Sequence, residues 1–314
     1  MNNNEVSKSG FGWQPYLWMA CGAVWLTLAD FCMKQVAMQG VHPATGFAMA
    51  TPLSVILIVV LAQANGGVRR HLMPKHPQVL LLRGAFMIGM SFLNFIGLMY
   101  NPYSQQVMIL QLGPIIAALL AVLLLKEGFS KHQLLVAVIC LVSVWFIIDP
   151  RFGSGTVYLL IALGAAFFNA AANVFIAYHR DKHTPIGFTF YGMLITVTLS
   201  GIIHLGLDLP LPGWSAFWWL QAMGGLAVLG LASVSRGLQL AADGGRAGSV
   251  GLMFYVQMPV ALAIGYWVYG EQSSTIGLLG ACMIVLAGMS LPLRAALSLS
   301  NQVAAIEERN QPRP

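Results

Sequence analysis

Charge is what this chain has least of. Asp, Glu, Lys and Arg together make up 8% of its 314 residues, and only 10 residues are acidic. Soluble domains carry about 25% charged residues. So few ionised side chains cannot cover a water-facing surface, and with 58% hydrophobic residues the bilayer is the solvent for most of this sequence. Cysteine is scarce as well. Cys21, Cys32, Cys140 and Cys282 all fall inside apolar runs without metal-ligand spacing, so they read as small packing residues. HExxH, GxSxG and Walker patterns are absent and the carboxylates do not cluster. No nucleophile or metal cage for a membrane enzyme can be assembled, and no catalytic residue, cofactor or metal is expected.

What is present is a series of apolar runs near the ~20 residues needed to cross a bilayer. They lie at about 15–36, 44–64, 78–100, 103–125 and 132–149, and again at about 155–178, 186–207, 215–240, 247–269 and 274–296. The connections are short, and residues 1–14 and 297–314 are polar tails. The first run contains Asp30 and Lys34 and lacks a small-x-small cleavage site, so it is expected to stay as a span rather than be removed. The expectation is an all-α membrane protein with ten spans.

The positive charges orient these spans. With the N-terminus in the cytoplasm, the cytoplasmic segments hold Lys8, Arg69, Arg70, Lys75, Lys126, Lys131, Arg180, Lys182, Arg246, Arg294, Arg309 and Arg313. The opposite side holds Arg151 alone, while Lys34, Arg83 and Arg236 lie within spans. The net charge of +6 is therefore topological information and implies no nucleic-acid partner. Both termini are expected in the cytoplasm, with Trp13, Trp214, Trp218 and Trp219 near the interfaces.

The runs also repeat. Pro114 and Pro259 are 259 − 114 = 145 positions apart, and the same shift brings Glu127 within one residue of Glu271. Gln111 and Gln257 stand beside the two prolines. Two copies of a module with an odd number of spans would sit upside down relative to each other, an arrangement common among secondary transporters. The copies are expected at 15–149 and 155–296. Each proline removes a backbone hydrogen bond and disturbs the carbonyl four residues earlier, at Leu110 and Tyr255. That makes Pro114 and Pro259 kink sites and candidate hinges.

A charge facing lipid at mid-span costs about 2.5–3.5 kcal/mol, so intramembrane polar residues should face protein or a wet cavity. Asp30 and Lys34 share one face of the first span, one turn apart, as a self-neutralising pair or as a gate or substrate contact. Arg236 and Arg83 are either snorkelling anchors or anion contacts. Asn94, Gln111, Asn169, Asn173 and Gln257 are either interhelical glue or cavity lining. Trp25, Tyr100, Phe168, Tyr191, Tyr255 and Tyr266 are candidate apolar walls. Glu127 and Glu271 end their spans on opposite faces and read as capping or loop-bonding groups.

The stretch Leu82-Arg83-Gly84, through Gln111-Leu112-Gly113-Pro114-Ile115-Ile116 to Leu125-Lys126-Glu127 and then Asp149-Pro150, resembles the drug/metabolite transporter superfamily, specifically its EamA-type ten-helix members. The resemblance spans roughly residues 15–295. Lys34 also stands where that family often has a lysine. The chain departs from the family in its second span, where Phe47-Ala48-Met49-Ala50-Thr51 lacks a common arginine. The resemblance implies two inverted five-helix bundles around a central cavity that opens alternately to either side. It implies metabolite transport without naming the substrate, since members carry amino acids, nucleotide sugars, organic acids, choline and drugs.

The expectation is thus an inner-membrane secondary transporter working by alternating access without ATP. Lys34 and Arg236 outnumber Asp30 inside the membrane, which favours a small carboxylate-bearing substrate such as an amino acid or organic acid. Asp30, Lys34, Arg236, Asn94, Gln111, Asn169, Asn173, Gln257 and Tyr255 are the expected substrate contacts. The alternative is efflux of amphipathic drugs, and the remote one a membrane enzyme or a non-transporting scaffold. Partners are a small-molecule substrate and membrane lipid; oligomeric state is open, and a monomer is compatible with the sequence.

Overall fold

The computed structural model describes residues 14–120 except 75, 114 and 118, a few positions between 135 and 146, residues 156–242 except 180 and 181, and residues 251–290 except 273, 288 and 289. Pro114, Lys126, Glu127 and the Asp149-Pro150 pair lie outside the described residues.

Among the described residues the elements are helical. Helices α1 (Gln14–Met38), α2 (Pro43–Ala64), α3 (Val68–Leu72), α4 (Pro77–Tyr100) and α5 (Tyr103–Leu110) form the first half. Helices α6 (Thr156–Tyr178), α7 (Pro185–Gly206), α8 (Trp214–Ala242) and α9 (Gln257–Tyr269) follow, with α10 at Thr275–Ala287. Six of them, α1, α2, α4, α6, α7 and α8, contain stretches long and apolar enough to span a membrane. This is an all-helical, multi-pass membrane protein. Helix α3, in the connection after α2, was not anticipated from the sequence.

Local signals set the helix ends. Proline opens α2, α4 and α7 at the first helical position, where its missing N–H would be unpaired anyway. His42 caps α2 by accepting the Ala44 N–H at 3.2 Å, and Thr184 caps α7 by accepting the Gly187 N–H at 3.2 Å. Helix α9 stops at Gly270, whose φ of 63° puts it in the left-handed region that glycine enters without strain.

Several helix contacts recur between the two halves. Helix α1 lies against α8, and α6 lies against α4. Helix α8 also meets α2, and α4 meets α7. Helix α1 meets α9, and α6 meets α5. Exchanging α1 with α6, α2 with α7, α4 with α8 and α5 with α9 turns each of these contacts into its partner. Two further contacts, α2 with α7 and α5 with α9, map onto themselves, whereas the contact of α1 with α4 has no equal between α6 and α8. Small residues allow the close approaches. A Cβ on Gly22 of α1 would lie 3.0 Å from the Gly230 carbonyl of α8, so these backbones nearly touch.

Helix α7 is tied to α2 at one end and to α3 at the other. Thr45 Oγ1 and His204 Nδ1 are 3.0 Å apart at one end, and His71 Nδ1 and Thr184 Oγ1 are 3.1 Å apart at the other. Phe47, Phe95, Leu98, Tyr103, Leu220 and Ala261 belong to one core, gathered from α1, α2, α4, α5, α8 and α9. A second core joins Ile109, Leu112 and Ile115 to Ala162, Tyr255, Met258 and Ile284. Trp214 and Trp218 are exposed, as interfacial anchors would be, but Trp219 turns inward, edge-on to Phe31.

Candidate functional site

Two broken helices meet where the repeat places its glutamines. Helix α5 stops at Leu110, Gln111 and Leu112 form a turn, and helical backbone resumes at Gly113. In the second half a 3₁₀ segment, Gly251–Val256, changes to α-helix at Gln257. The break in α5 falls at the residue whose carbonyl Pro114 was expected to disturb. The 3₁₀-to-α change falls one residue past the corresponding carbonyl of Tyr255. Pro259 itself is an exposed residue within α9. Across this junction Gln111 Nε2 donates to Gln257 Oε1 at 2.5 Å, both side chains being buried. Tyr255 is buried in the core beneath them. Asn169 of α6 abuts the same turn: a Cβ on Gly113 would lie 3.3 Å from its Nδ2.

A longer polar seam runs along the bundle to the end at which α4 stops and α5 starts. Asn94 Nδ2 donates to Asp30 Oδ1 at 3.1 Å, and Gln106 Nε2 donates to Asn94 Oδ1 at 2.9 Å. Asn101 Nδ2 donates to Gln106 Oε1 and to the Tyr158 carbonyl, each at 2.9 Å. Gly97 leaves the room that the Gln106 carboxamide occupies. Among the described residues Asp30 is bonded through Oδ1 alone.

Lys34 does not bond to Asp30. Its ammonium donates to the Leu98 carbonyl at 2.6 Å and the Asn101 carbonyl at 2.9 Å. It thus neutralises the negative end of α4, where carbonyls lack helical partners. Two of its three protons are engaged. Glu271 works at the opposite pole. It accepts the Tyr103 N–H on Oε1 at 2.5 Å. On Oε2 it accepts the Ser104 N–H at 2.9 Å and the Ser104 hydroxyl at 2.6 Å. Glu271 therefore caps α5, the matching helix of the other half, as its capping reading anticipated. Its carboxylate is close enough to act electrostatically on Lys34.

The remaining expected contacts are scattered. Asn173 is exposed, and its Nδ2 lies 3.4 Å from Asn169 Oδ1 on its own helix. Arg236 is exposed and sits far from Lys34. Gly237 lies against Pro15 and Met19, and Gly230 against Leu26, so Arg236 is level with about residue 20 of α1. That is roughly 14 residues, or about 21 Å, below Lys34, and no single small cavity holds both cations. The sequence reading missed Gln106, Asn101 and Lys34's role as a helix cap. Asn101 and Gln106 flank the Pro102 that separates α4 from α5, and polar residues on either side of such a break were the available signal.

Fold and seam together define a polytopic membrane protein with buried amides and charges gathered at discontinuous helices. Residues 13–149 match the model of the EamA-like transporter family. The pseudopaline exporter CntI of Pseudomonas aeruginosa (strain UCBPP-PA14) is 22% identical over 240 residues, 76% of this chain and 81% of that protein. The uncharacterized transporter YyaM of Bacillus subtilis (strain 168) is 23% identical over 284 residues, 85% of this chain and 90% of that one. A solved crystal structure, 19% identical, superposes with a TM-score of 0.62 over 90% of this chain and 98% of its own, which shows a shared fold. The first half of the chain thus matches an EamA-like transporter domain, and the chain as a whole is similar to bacterial transporters.

Proposed function

We propose that the protein is a secondary transporter, built from two inverted five-span repeats at 15–149 and 155–296, that carries an amino-acid-like zwitterion across the inner membrane. Both termini face the cytoplasm in this reading, and no ATP is used. The contacts that exchange between the halves support the repeat, as does the hydrogen bond between Gln111 and Gln257, residues within one position of the repeat shift. Broken helices near mid-membrane are where transporters of this architecture bind substrate.

One observation carries the substrate class. Asp30 and Lys34 stand one turn apart, about 6 Å along the helix, and each is bonded to something other than its neighbour. Asp30 offers a carboxylate oxygen to a substrate ammonium. Lys34 offers its third proton to a substrate carboxylate. Asn94, Gln111, Asn169, Tyr255 and Gln257 surround the side chain, and Asn173 and the exposed Arg236 meet the carboxylate on its way from the cytoplasmic side. Pro114 and Pro259 mark the hinges at which the halves rock. The relative named as an exporter supports outward movement.

Thermal unfolding of the purified protein tests this with matched ligand sets. Amino acids are compared with their amides, which lack the carboxylate, and with deaminated acids, which lack the amine. A bound ligand at 100 times its Kd stabilises by about 2.7 kcal/mol. Stabilisation by zwitterions alone is expected. Equal stabilisation by a deaminated acid would remove Asp30 from recognition.

A further inference from the structure

Three buried amides, Asn101, Gln106 and Asn94, stand between a backbone carbonyl of the second half and the carboxyl of Asp30. A carboxamide donates at one end and accepts at the other, so its neighbours decide which way it faces. Tyr158, in the first turn of α6, offers Asn101 a carbonyl, which can only accept. Asn101 must therefore present Nδ2 there, at 2.9 Å. The same nitrogen donates to Gln106 Oε1 at 2.9 Å, which turns Gln106 Nε2 toward Asn94 Oδ1, also at 2.9 Å. Asn94 is left with Nδ2 toward Asp30 Oδ1, at 3.1 Å. One fixed acceptor on α6 thus orients every link, and the last link is the donor that Asp30 uses.

Two local features hold this chain in place. Gln106 fits only because residue 97 is glycine: a Cβ there would overlap the Gln106 carboxamide, with Nε2 only 2.6 Å away. At the α6 end Tyr158 stacks on Tyr100, ring centroids 4.2 Å apart and planes at 15°, next to the residue that makes the bond. Asn101 also lends its backbone carbonyl to Lys34 at 2.9 Å. The carboxyl and the ammonium proposed to hold a zwitterion therefore share Asn101. Its side chain leads to one, and its backbone holds the other.

We infer that Asn101 and Gln106 are positioning residues: through Asn94 they aim the Asp30 carboxyl and make its orientation depend on the contact between α4 and α6. Neither is hydrogen-bonded to Asp30 itself. When α6 moves away from Asn101, the chain loses the acceptor that sets its direction. Each amide is then free to turn over, and Asn94 presents its oxygen to Asp30, which repels the carboxylate. The site is thereby coupled to the packing of the two halves. That Asp30 receives a substrate ammonium rests on the proposed function; the relay that orients it does not.

The test uses the full-length protein in neutral detergent and dicyclohexylcarbodiimide, which modifies carboxyl groups in apolar surroundings. Peptide mass spectrometry reads Asp30 against Glu271 in the same sample. Asn101→Leu and Gln106→Met each remove a link. Gly97→Ala displaces the Gln106 carboxamide while keeping all three amides, and the displaced group is the free end of a flexible side chain, so the fold is retained. Each variant should speed modification of Asp30 about tenfold, the scale of one hydrogen bond to a charged group, with Glu271 unchanged. Gln35→Met removes an amide of α1 that bonds Tyr269 instead and should keep the wild-type rate. Stabilisation by amino acids should fall in the three relay variants at equal folded yield. A wild-type rate in Gln106→Met and Gly97→Ala, a parallel rise at Glu271, or the same rise in Gln35→Met would overturn the relay. A wild type that no amino acid stabilises, with the Asp30 rates still divided in this way, would overturn the substrate reading and leave the relay standing.

Discussion

Lys34 and Glu271 divide between them the two helix poles that face each other at the α4–α5 break. Lys34 satisfies carbonyls at the end of α4, and Glu271 satisfies amides at the start of α5. Hydrogen bonds to charged groups contribute about 1.5–3 kcal/mol each, and here both groups sit away from bulk water. Glu271→Gln keeps the shape but loses the charge and half the acceptor capacity. It should lower stability by about 2 kcal/mol, measured as the unfolding midpoint in detergent; an unchanged midpoint would mean that water already satisfies α5. Asp30 and Lys34 were conspicuous in the sequence because charge inside an apolar run is costly. The partners of Lys34 were not, because backbone carbonyls 64 and 67 residues away leave no trace in side-chain pattern.

At the scale of elements, helices that break within the bundle and glycines that let others approach shape the fold. The turn at Gln111 and Leu112 and the 3₁₀-to-α change at Gln257 fall within three residues of Pro114 and Pro259, the prolines expected to disturb these helices. That Gln111 and Gln257 then bond to each other could not be foreseen, because a shift of the sequence relates equivalent positions without stating that they touch. Gln111→Ala and Gln257→Ala should each destabilise, and the double variant should cost less than their sum by about 0.5–1.5 kcal/mol. Strict additivity would show that the pair does not interact. Gly22 is a second test. A Cβ there would meet Gly230 O and Val234 N of α8, both at 3.0 Å, and backbone cannot move aside as a side chain can. Gly22→Leu should sharply reduce folded yield, whereas Gly225→Leu, with open space around it, should not.

At the scale of the whole molecule, the membrane class and the long apolar helices were the most legible features, because hydropathy is a property of composition along the chain. Reporter fusions after residues 66 and 314 should report cytoplasm, and fusions after residues 40 and 208 the opposite side; any other alternation would break the inverted pairing. The packing scheme was less legible, since which helix lies against which depends on glycine-lined surfaces rather than on hydropathy. The division of charge was read least well. Arg236 and Lys34 looked like one electropositive cavity, but the register of α1 on α8 separates them by about 21 Å. That separation moves recognition to Asp30 and Lys34. The most direct measurement is uptake of labelled amino acids by proteoliposomes containing only this protein, preloaded with unlabelled substrate and lacking ATP. Saturable counterflow is predicted for the wild type, with at least tenfold loss in Asp30→Asn and in Lys34→Gln reconstituted at equal folded yield. Full counterflow in Asp30→Asn, or none with any zwitterion in a wild type that moves a substrate lacking an amine, would contradict the account.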